Sequence, residues 1–187
     1  MPYYIIFSKS AKEHQTVKSL KRIAKKNDID IEFRLQEKEM VNHSRTGRVT
    51  RKYTLIPGYI FARSPESISP ETLSILTGAN DFFYFLTYSD KSYEMRGDDE
   101  RYCSQLFDFP QVIRQKNVFI KAGEVVIVTR GAFTTLKGKI LKIDMKRERA
   151  DVEIMILGKP TRISLPIDHV EGSPENENEE KNNLIES

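Results

Sequence analysis

The residues of this chain that most often catalyse reactions or bind metals are few and widely separated. Its 187 residues include three histidines and one cysteine, too few for a disulfide framework or a multi-cysteine zinc site. His14, His43 and His169 stand alone, and neither an HExxH pattern nor a phosphate-cradling GxxxxGK(S/T) sequence occurs. Cys103 lies near Leu106 on a predicted amphipathic helix, which indicates core packing rather than nucleophilic catalysis. We therefore expect a protein that is not an enzyme and that needs no metal or cofactor.

Basic residues are clustered in two sets that could bind nucleic acid. Arg45 and Arg48 lie in the polar segment 37–51, which is predicted to be a long exposed loop or hairpin. The second set lies on or near a predicted hairpin of the C-terminal half and comprises Lys139, Lys142, Lys146, Arg147 and Arg149. Cations placed in this way can neutralise the phosphates of a nucleic-acid backbone. Each set is also consistent with an ordinary solvated surface, and acidic residues interrupt the second one.

The segment 55–61, Leu-Ile-Pro-Gly-Tyr-Ile-Phe, combines a turn with large apolar side chains. Pro57 has no N–H, and Gly58 admits backbone conformations that other residues avoid, so together they end one extended run and start the next. Because side chains alternate along a strand, Tyr59 and its neighbours cannot all face the core. The pattern is consistent with an exposed interaction surface and equally with a turn into a core strand.

Hydrophobic periodicity predicts two regions, one with alternating strands and helices and one with short strands. In residues 1–107 strands are expected at 3–7, 29–35, 59–62 and 82–88, and helices at 11–24, 71–76 and 98–107, an order that predicts an open α/β sandwich. A linker is predicted at 108–117. Residues 118–171 contain five short β-rich runs, at 118–120, 124–130, 138–144, 150–157 and 160–165. Such spacing indicates a small β-barrel, with Phe133 at its mouth, while the acidic tail 172–187 is expected to be disordered.

Composition and charge fit a globular protein that works in the cytoplasm. The chain is 39% hydrophobic and 30% charged, and its apolar runs are too short to span a bilayer. The N-terminal sequence lacks the features of a signal peptide. The net charge of +3 is unevenly distributed, because residues 172–187 are acidic and the rest of the chain is more basic. A basic surplus of this kind is compatible with a nucleic-acid partner.

Two segments, taken together, resemble the NusG family. The segment 55–61 is similar to the aromatic-Pro-Gly-Tyr strand of NusG N-terminal domains, and 123–143 resembles the KOW motif of the same family. Their order and separation match, as does the opening YYIIF…VKSLKRI, so the resemblance covers roughly residues 2–171. It implies an α+β protein: an NGN sandwich with an antiparallel sheet, joined by a linker to a five-stranded, SH3-like KOW β-barrel.

The resemblance also implies a function, that of a transcription elongation or antitermination factor. In NusG proteins the strand at the Pro-Gly-Tyr motif docks on the clamp helices of RNA polymerase, which implies polymerase contacts by Tyr53, Ile56, Tyr59 and Phe61. Ser69 and Thr72 match the position where relatives touch the opposite side of the polymerase cleft. The exposed loop would then meet the non-template DNA strand.

The same resemblance implies the partners of the C-terminal domain. The segment 142–150 is similar to the basic turn of the LoaP antiterminators, which implies a specialised paralogue that binds nascent RNA. Leu157 and Lys159 are the implied contacts for a protein partner, such as a small-subunit ribosomal protein or a termination factor. The alternatives are a housekeeping NusG-type pausing or termination factor and a ribosome-associated KOW protein. A stable β-barrel is expected in the free protein, although a fold switch of this domain stays open.

Overall fold

The computed structural model describes residues 1–44, 47–108, 110–113, 119–121, 126–127, 137–166 and 169–171. The helices are α1 (Glu13–Lys26), α2 (Pro70–Leu76) and α3 (Asp98–Asp108). The strands up to residue 113 are β1 (Tyr3–Ser8), β2 (Glu32–Arg34), β3 (Glu37–Ser44), β4 (Gly47–Thr54), β5 (Tyr59–Arg63), β6 (Phe82–Phe85) and β7 (Val112–Ile113). The later strands are β8 (Phe119–Lys121), β9 (Val126–Ile127), β10 (Lys137–Asp144), β11 (Arg149–Ile156), β12 (Lys159–Pro166) and β13 (His169–Glu171).

A four-stranded antiparallel sheet, in the order β2-β5-β1-β6, forms the centre of the N-terminal domain. Strand β1 is buried on both faces because its side chains alternate between two layers. Tyr4 and Ile6 pack with residues of α1 and α2, whereas Tyr3 and Ile5 pack with residues of α3. The predicted α/β sandwich is therefore confirmed, with two helices on one face of the sheet and one helix on the other.

The polar segment 37–51 belongs to a hairpin, one of the two arrangements expected for it. Strands β3 and β4 pair in continuous register from Glu37 opposite Thr54 to Ser44 opposite Gly47, and residues 47–53 are exposed. Strand β7 adds to this hairpin in parallel with β3. Residues 112 and 113 of the predicted linker are thus attached to the N-terminal domain.

The described residues of the C-terminal half are all in or between strands. Strands β9 to β12 form an antiparallel sheet in chain order, and β8 pairs with β13 in parallel. Every second residue of β11 is buried, from Ala150 to Ile156, which is the alternation of a strand with one face on a core. All five predicted β-rich runs contain strands. Phe133 and the tail 172–187 lie outside the described residues.

Several boundaries differ from the prediction, and two of the differences have a plain physical reason. The aromatic run at 82–88 leaves the sheet after Phe85, because Tyr88 N–H donates to Ser92 O within a turn that has Lys91 at φ 61°. The first helix begins at Glu13 rather than Ala11, since Ala11 has a left-handed φ of 65°.

Candidate functional site: an aromatic row and two basic hairpins

The turn at Pro57-Gly58 is held in place by hydrogen bonds from two other elements. Gly58 has a φ of +86°, and its N–H donates to Glu13 Oε1 at 2.7 Å, at the start of α1. Its carbonyl accepts from the N–H of Ser8 at 2.7 Å. A Cβ atom at this position would lie 2.8 Å from Phe7 Cε2. The turn therefore requires glycine both for its backbone angle and for the close approach of the Phe7 ring.

Aromatic side chains form a row across three strands, beginning at this turn. Phe7 of β1 is paired with Tyr59 on β5 and with Tyr84 on β6. The centroid of the Phe7 ring lies 5.3 Å from that of Tyr59 and 5.4 Å from that of Tyr84. These distances are those of stabilising ring pairs. We call Phe7, Tyr59, Phe83 and Tyr84 the aromatic row.

Phe83 joins the row through a β-bulge. Phe7 is opposite Tyr84 and Ser8 is opposite Phe82, so Phe83 is an extra residue on β6. A bulge brings two successive side chains to one face of a sheet. The Phe83 ring consequently lies 6.0 Å from that of Phe7, on the same side as Tyr84.

The outer members of the row are exposed to solvent. Phe83 and Tyr84 are 55% and 53% exposed, and they lie on an edge strand of the sheet. Contiguous exposed aromatic side chains mark interaction surfaces. Sequence reasoning identified Tyr59 alone of these four as a site residue. The signal for Phe83 and Tyr84 was the run Phe-Phe-Tyr-Phe at 82–85, since four consecutive aromatic side chains of one short strand point to both faces of the sheet.

Two residues of the expected polymerase surface are buried. Ile56 and Phe61 are each 1% exposed and belong to the core beneath α3, where the Phe61 ring lies 5.9 Å from that of Tyr102. Phe61 faces inward because it is opposite Ile5, whose side chain points to the same layer. In this structure Ile56 and Phe61 therefore present no exposed surface for the expected polymerase contact.

The remaining expected polymerase contacts lie on other elements. Tyr53 is on β4 and 41% exposed, and its hydroxyl accepts from Asn42 Nδ2 across the hairpin at 2.8 Å. Ser69 is the N-cap of α2, and its Oγ accepts from the Thr72 N–H at 3.2 Å. Ser69 and Thr72 thus have a local structural role, the capping of a helix N-terminus.

The basic hairpin residues differ in whether their charge is already paired. Arg48 forms two hydrogen bonds with Glu148, at 3.0 and 3.2 Å, across to the C-terminal domain. Arg147 and Arg149 lie 3.7 and 3.8 Å from Asp144 Oδ2. Arg45 lies outside the described residues. The hairpin arginines therefore have competing carboxylates beside them.

The hairpin lysines are exposed and make no ion pair within the part of the chain that the structure describes. They are Lys139, Lys142 and Lys146. Lys139 and Lys142 share the outer face of β10 because a register shift between Ile140 and Lys142 leaves Leu141 as an extra residue. The candidate nucleic-acid surface of the C-terminal domain is centred on these three lysines.

The turn expected to bind a protein partner contacts the N-terminal domain. Leu157 and Gly158 have φ angles of 47° and 71° and join β11 to β12. The Leu157 N–H donates to Asp99 Oδ1 on α3 at 3.0 Å, whereas Lys159 is exposed. Leu157 is half-buried against a core cluster that contains residues of both domains.

A buried lysine makes a further contact between the domains. Lys38 on β3 is 8% exposed, and its Nζ donates to Ser164 O on β12. Burial lowers the pKa of Lys38 to about 8, partly offset by the nearby carboxylate of Asp151. Together with the pairs Arg48–Glu148 and Asp99–Leu157, this contact joins the hairpin and α3 to the C-terminal sheet.

The groups considered for chemistry are not assembled into a catalytic or metal site within the described residues. Cys103 is fully buried in the core, and burial raises its pKa well above the ordinary value for a thiol. His14 Nε2 lies 3.1 Å from Glu37 Oε1 at the surface. The described ranges contain no group of three His, Cys, Asp or Glu residues that could hold a metal ion. None of the helices they contain is long and apolar enough to cross a membrane.

Comparison with known families accounts for both halves of the chain. Residues 1–101 match the family model described as transcription termination factor nusG, and residues 122–155 match that of the KOW motif. The chain belongs to the NusG family. The first match contains the aromatic row and the hairpin of β3 and β4, and the second contains β9, β10 and most of β11. The expected fold class, an NGN domain followed by a KOW domain, is thereby confirmed.

Individual NusG proteins are similar over shorter segments. The transcription termination/antitermination protein NusG of Liberibacter asiaticus is 34% identical over 55 residues, 29% of this chain and 79% of that protein. The proteins of the same name from Rickettsia felis and Rickettsia typhi are 42% and 38% identical over 50 and 58 residues. Those matches cover 27% and 31% of this chain, and 26% and 30% of the Rickettsia proteins.

A solved NusG structure has the same fold. That structure, described as domain interaction in Thermotoga maritima NusG, matches 88% of this chain and 92% of its own with a TM-score of 0.55. The two sequences are 18% identical, so the likeness concerns the fold alone.

Proposed function

We propose that this NusG-family chain is a transcription elongation or antitermination factor that docks on RNA polymerase through the aromatic row. The supporting observation is the exposure of Phe83 and Tyr84 on an edge strand, next to the Pro-Gly-Tyr turn. Burying such side chains against an apolar surface of the polymerase clamp would supply much of the binding free energy. Tyr53, Ser69 and Thr72 are proposed as additional contacts at the rim.

The hairpin of β3 and β4 is proposed to meet nucleic acid while the row is docked. Its exposed strand β4 carries Arg48, Arg51 and Lys52, and Arg45 is proposed to contribute as expected from the sequence. The ion pair of Arg48 with Glu148 is solvent-exposed, and such pairs contribute at most about 1 kcal/mol. A phosphate of the non-template strand can therefore replace Glu148 at low cost.

The KOW domain is proposed to bind structured RNA, in the manner expected of a specialised LoaP-like paralogue. Lys139, Lys142 and Lys146 support this proposal, because they are exposed and form no ion pair with the residues that the structure describes, so they can neutralise phosphates. A protein partner at Leu157 and Lys159 is the alternative use of this domain, and it would require release of Leu157 from Asp99. The protein is proposed to act in the cytoplasm without catalysing a reaction.

Polymerase docking is tested by removing one exposed ring of the row. Phe83→Ala in the full chain is expected to weaken binding to purified RNA polymerase by about 2 kcal/mol, roughly 30-fold, because a hot-spot side chain is lost. Met155→Ala is the matched control, since Met155 is 58% exposed on β11 and lies outside the row. Biolayer interferometry gives the affinities, and circular dichroism verifies the folds. Unchanged binding by Phe83→Ala, or binding of the wild type to ribosomes but not to polymerase, contradicts the proposal.

A further inference from the structure

Helix α1 carries a set of exposed cations on its outer side. We call this set the basic face, and its members are Lys18, Lys21, Arg22, Lys25 and Lys26. None of the five forms an ion pair in the part of the chain that the structure describes. The one acidic residue of the helix, Glu13, is 2% exposed and accepts the Gly58 N–H. The helix therefore offers positive charge to an anionic partner without an exposed carboxylate of its own.

The basic residues of the hairpin of β10 and β11 differ from this face, because carboxylates lie close to them. Lys139 is opposite Glu153 and Lys142 is opposite Asp151 on the paired strand. The arginines of that hairpin lie beside Asp144. On α1, by contrast, cations four residues apart repel each other with no acidic residue between them. An acidic partner therefore gains more from contact with α1 than from contact with the hairpin.

A groove beside the middle of the basic face can accept a carboxylate. It has a volume of ≈ 520 Å³ and is lined by Gln15, Lys18, Ser19, Arg22 and Asn80. The Ser19 hydroxyl accepts the Asn80 N–H at 3.2 Å, which fixes the segment after α2 against the helix. The lining contains two cations and two side-chain amides but no acidic residue. It therefore presents several hydrogen-bond donors to the oxygens of an acidic side chain.

The chain itself contains an acidic segment whose charge matches that of the basic face. Residues 172–187, which follow β13, contain five glutamates and one lysine, a net charge of −4. Four of the glutamates, Glu175, Glu177, Glu179 and Glu180, lie within six consecutive positions. Residues 175–183 are exclusively charged residues and asparagines, so they can contact a protein surface only through charge and hydrogen bonds. A row of exposed cations is a surface of the chemistry that such a segment needs.

We propose that the acidic segment 172–187 binds the basic face of α1 within the same molecule and covers it in the free protein. Glu180 follows Glu171, the last residue of β13, by nine residues, which can span up to about 30 Å. A globular body of this chain's size has a radius of gyration of about 16 Å, so the glutamates can reach faces remote from β13. Covalent attachment gives the segment an effective concentration on the order of millimolar, which offsets the weakness of each exposed ion pair.

The position of α1 keeps this contact separate from the proposed polymerase surface. The helix packs with the layer of Tyr4 and Ile6, while Phe7 packs with the layer on the other face of the central sheet. The segment can therefore lie on α1 while the aromatic row stays open. The proposal goes beyond the proposed function and does not depend on it.

The test places a nitroxide spin label in the acidic segment of the full chain. Asn178→Cys puts the label between Glu177 and Glu179. The native Cys103 is fully buried, so the label attaches to the introduced cysteine alone. Amide spectra of the isotope-labelled protein, recorded with the nitroxide oxidised and then reduced, show which backbone amides lie near the label.

Two triple variants that lose the same charge are compared in this background. The α1 variant neutralises the middle of the basic face and carries Lys18→Gln, Lys21→Gln and Arg22→Gln. The hairpin variant is the control and carries Lys139→Gln, Lys142→Gln and Lys146→Gln. A third variant leaves residues 1–171 unchanged and replaces the clustered acids, by Glu175→Gln, Glu177→Gln, Glu179→Gln and Glu180→Gln. The amide spectra also verify that each variant is folded.

At low salt the nitroxide is expected to reduce the amide signals of residues 15–26 by about half or more, because the segment lies on α1 for most of the time. Salt at about 1 M, where the screening length is roughly 3 Å, should restore these signals. The α1 variant and the glutamate variant should lose the effect, whereas the hairpin variant should keep it.

Three results would overturn the proposal. The first is full signal intensity on α1 at low salt, and the second is a loss of intensity centred on β10 and β11, which would place the segment on the C-terminal domain. The third comes from mixing spin-labelled protein with isotope-labelled protein that carries no nitroxide. An equal loss of signal on α1 in that mixture would assign the contact to a second copy of the chain.

Discussion

Gly58 connects three parts of the candidate site at the scale of one residue. Its backbone joins α1 through Glu13 and β1 through Ser8, and the ring of Phe7 occupies the space where a side chain would begin. The sequence predicted a turn here from the Pro-Gly pair. It did not predict the contact with Phe7, because that contact depends on the pairing of β1 with β5.

Gly58→Ala is expected to lower the free energy of unfolding by roughly 2 kcal/mol or more. The alanine would adopt a left-handed φ, and its Cβ would displace the Phe7 ring. Urea denaturation measures the change. Gly78→Ala is the control, since Gly78 has an ordinary φ and its nearest neighbour to an added Cβ is 3.5 Å away. Equal stabilities of the two variants would contradict the role given to Gly58.

Lys38 makes the stability of the protein depend on pH in a defined window. Its pKa is about 8 in the folded protein, against 10.5 for an exposed lysine, because burial disfavours the charged form. Between these two pH values the unfolded chain holds a proton that the folded protein has lost, so stability rises with pH. The rise is on the order of 3 kcal/mol for one group.

Lys38→Met is expected to abolish this rise. Urea unfolding of the wild type and of the variant at pH 7, 8, 9 and 10 gives the difference in their free energies of unfolding. The wild type should gain stability relative to Lys38→Met as the pH increases above 8. Lys91→Met, at an exposed position, should follow the wild type. Parallel pH profiles for the wild type and Lys38→Met would show that Lys38 is not buried in solution.

At the scale of elements, periodicity predicted most strands and helices, but the faces they present depend on long-range packing. The amphipathic pattern of α1 and the alternation in β11 were visible because both result from local spacing. Ile56 and Phe61 were placed at the surface because nothing local shows that α3 covers that side of the sheet. The sequence predicted only Tyr59 of the aromatic row for a similar reason, since the bulge at Phe83 exists only through the pairing of β6 with β1.

Variants of the hairpin of β10 and β11 can test whether its exposed lysines contribute more to RNA binding than the arginines beside Asp144. Lys142→Ala with Lys146→Ala is expected to weaken binding to the leader RNA of the protein's own operon about tenfold, and to reduce the salt slope by roughly two. Arg147→Ala with Arg149→Ala should have a smaller effect, because Asp144 already offsets those charges. Electrophoretic mobility shifts at several salt concentrations measure both quantities. A larger loss in the arginine variant would contradict the proposed binding surface.

At the scale of the whole molecule, the two domains are in contact while the aromatic row stays open. One apolar cluster contains buried residues of both domains, and Asp99 accepts the Leu157 N–H at its edge. The turn at Leu157, which is proposed to bind a protein partner, thus already contacts α3, whereas Phe83 and Tyr84 remain more than half exposed. The sequence showed two domains but not this contact, because no local pattern relates Asp99 to a residue 58 positions away.

Asp99→Ala is expected to free the turn at Leu157 without changing polymerase binding. Loss of a hydrogen bond to a carboxylate costs about 1.5 kcal/mol or more, so amide hydrogen exchange at Leu157 should accelerate about tenfold. Asp99 also accepts from the Tyr88 hydroxyl at 2.8 Å. Tyr88→Phe is the control, since it removes that bond and the two bonds of the hydroxyl to the Arg96 backbone but keeps the bond from Asp99 to Leu157. The aromatic row is already exposed while the two domains are in contact. The affinity of Asp99→Ala for RNA polymerase should therefore stay within about threefold of that of the wild type. A more than tenfold gain in polymerase affinity would show instead that contact between the domains hides the docking surface, and that the aromatic row is not its main part.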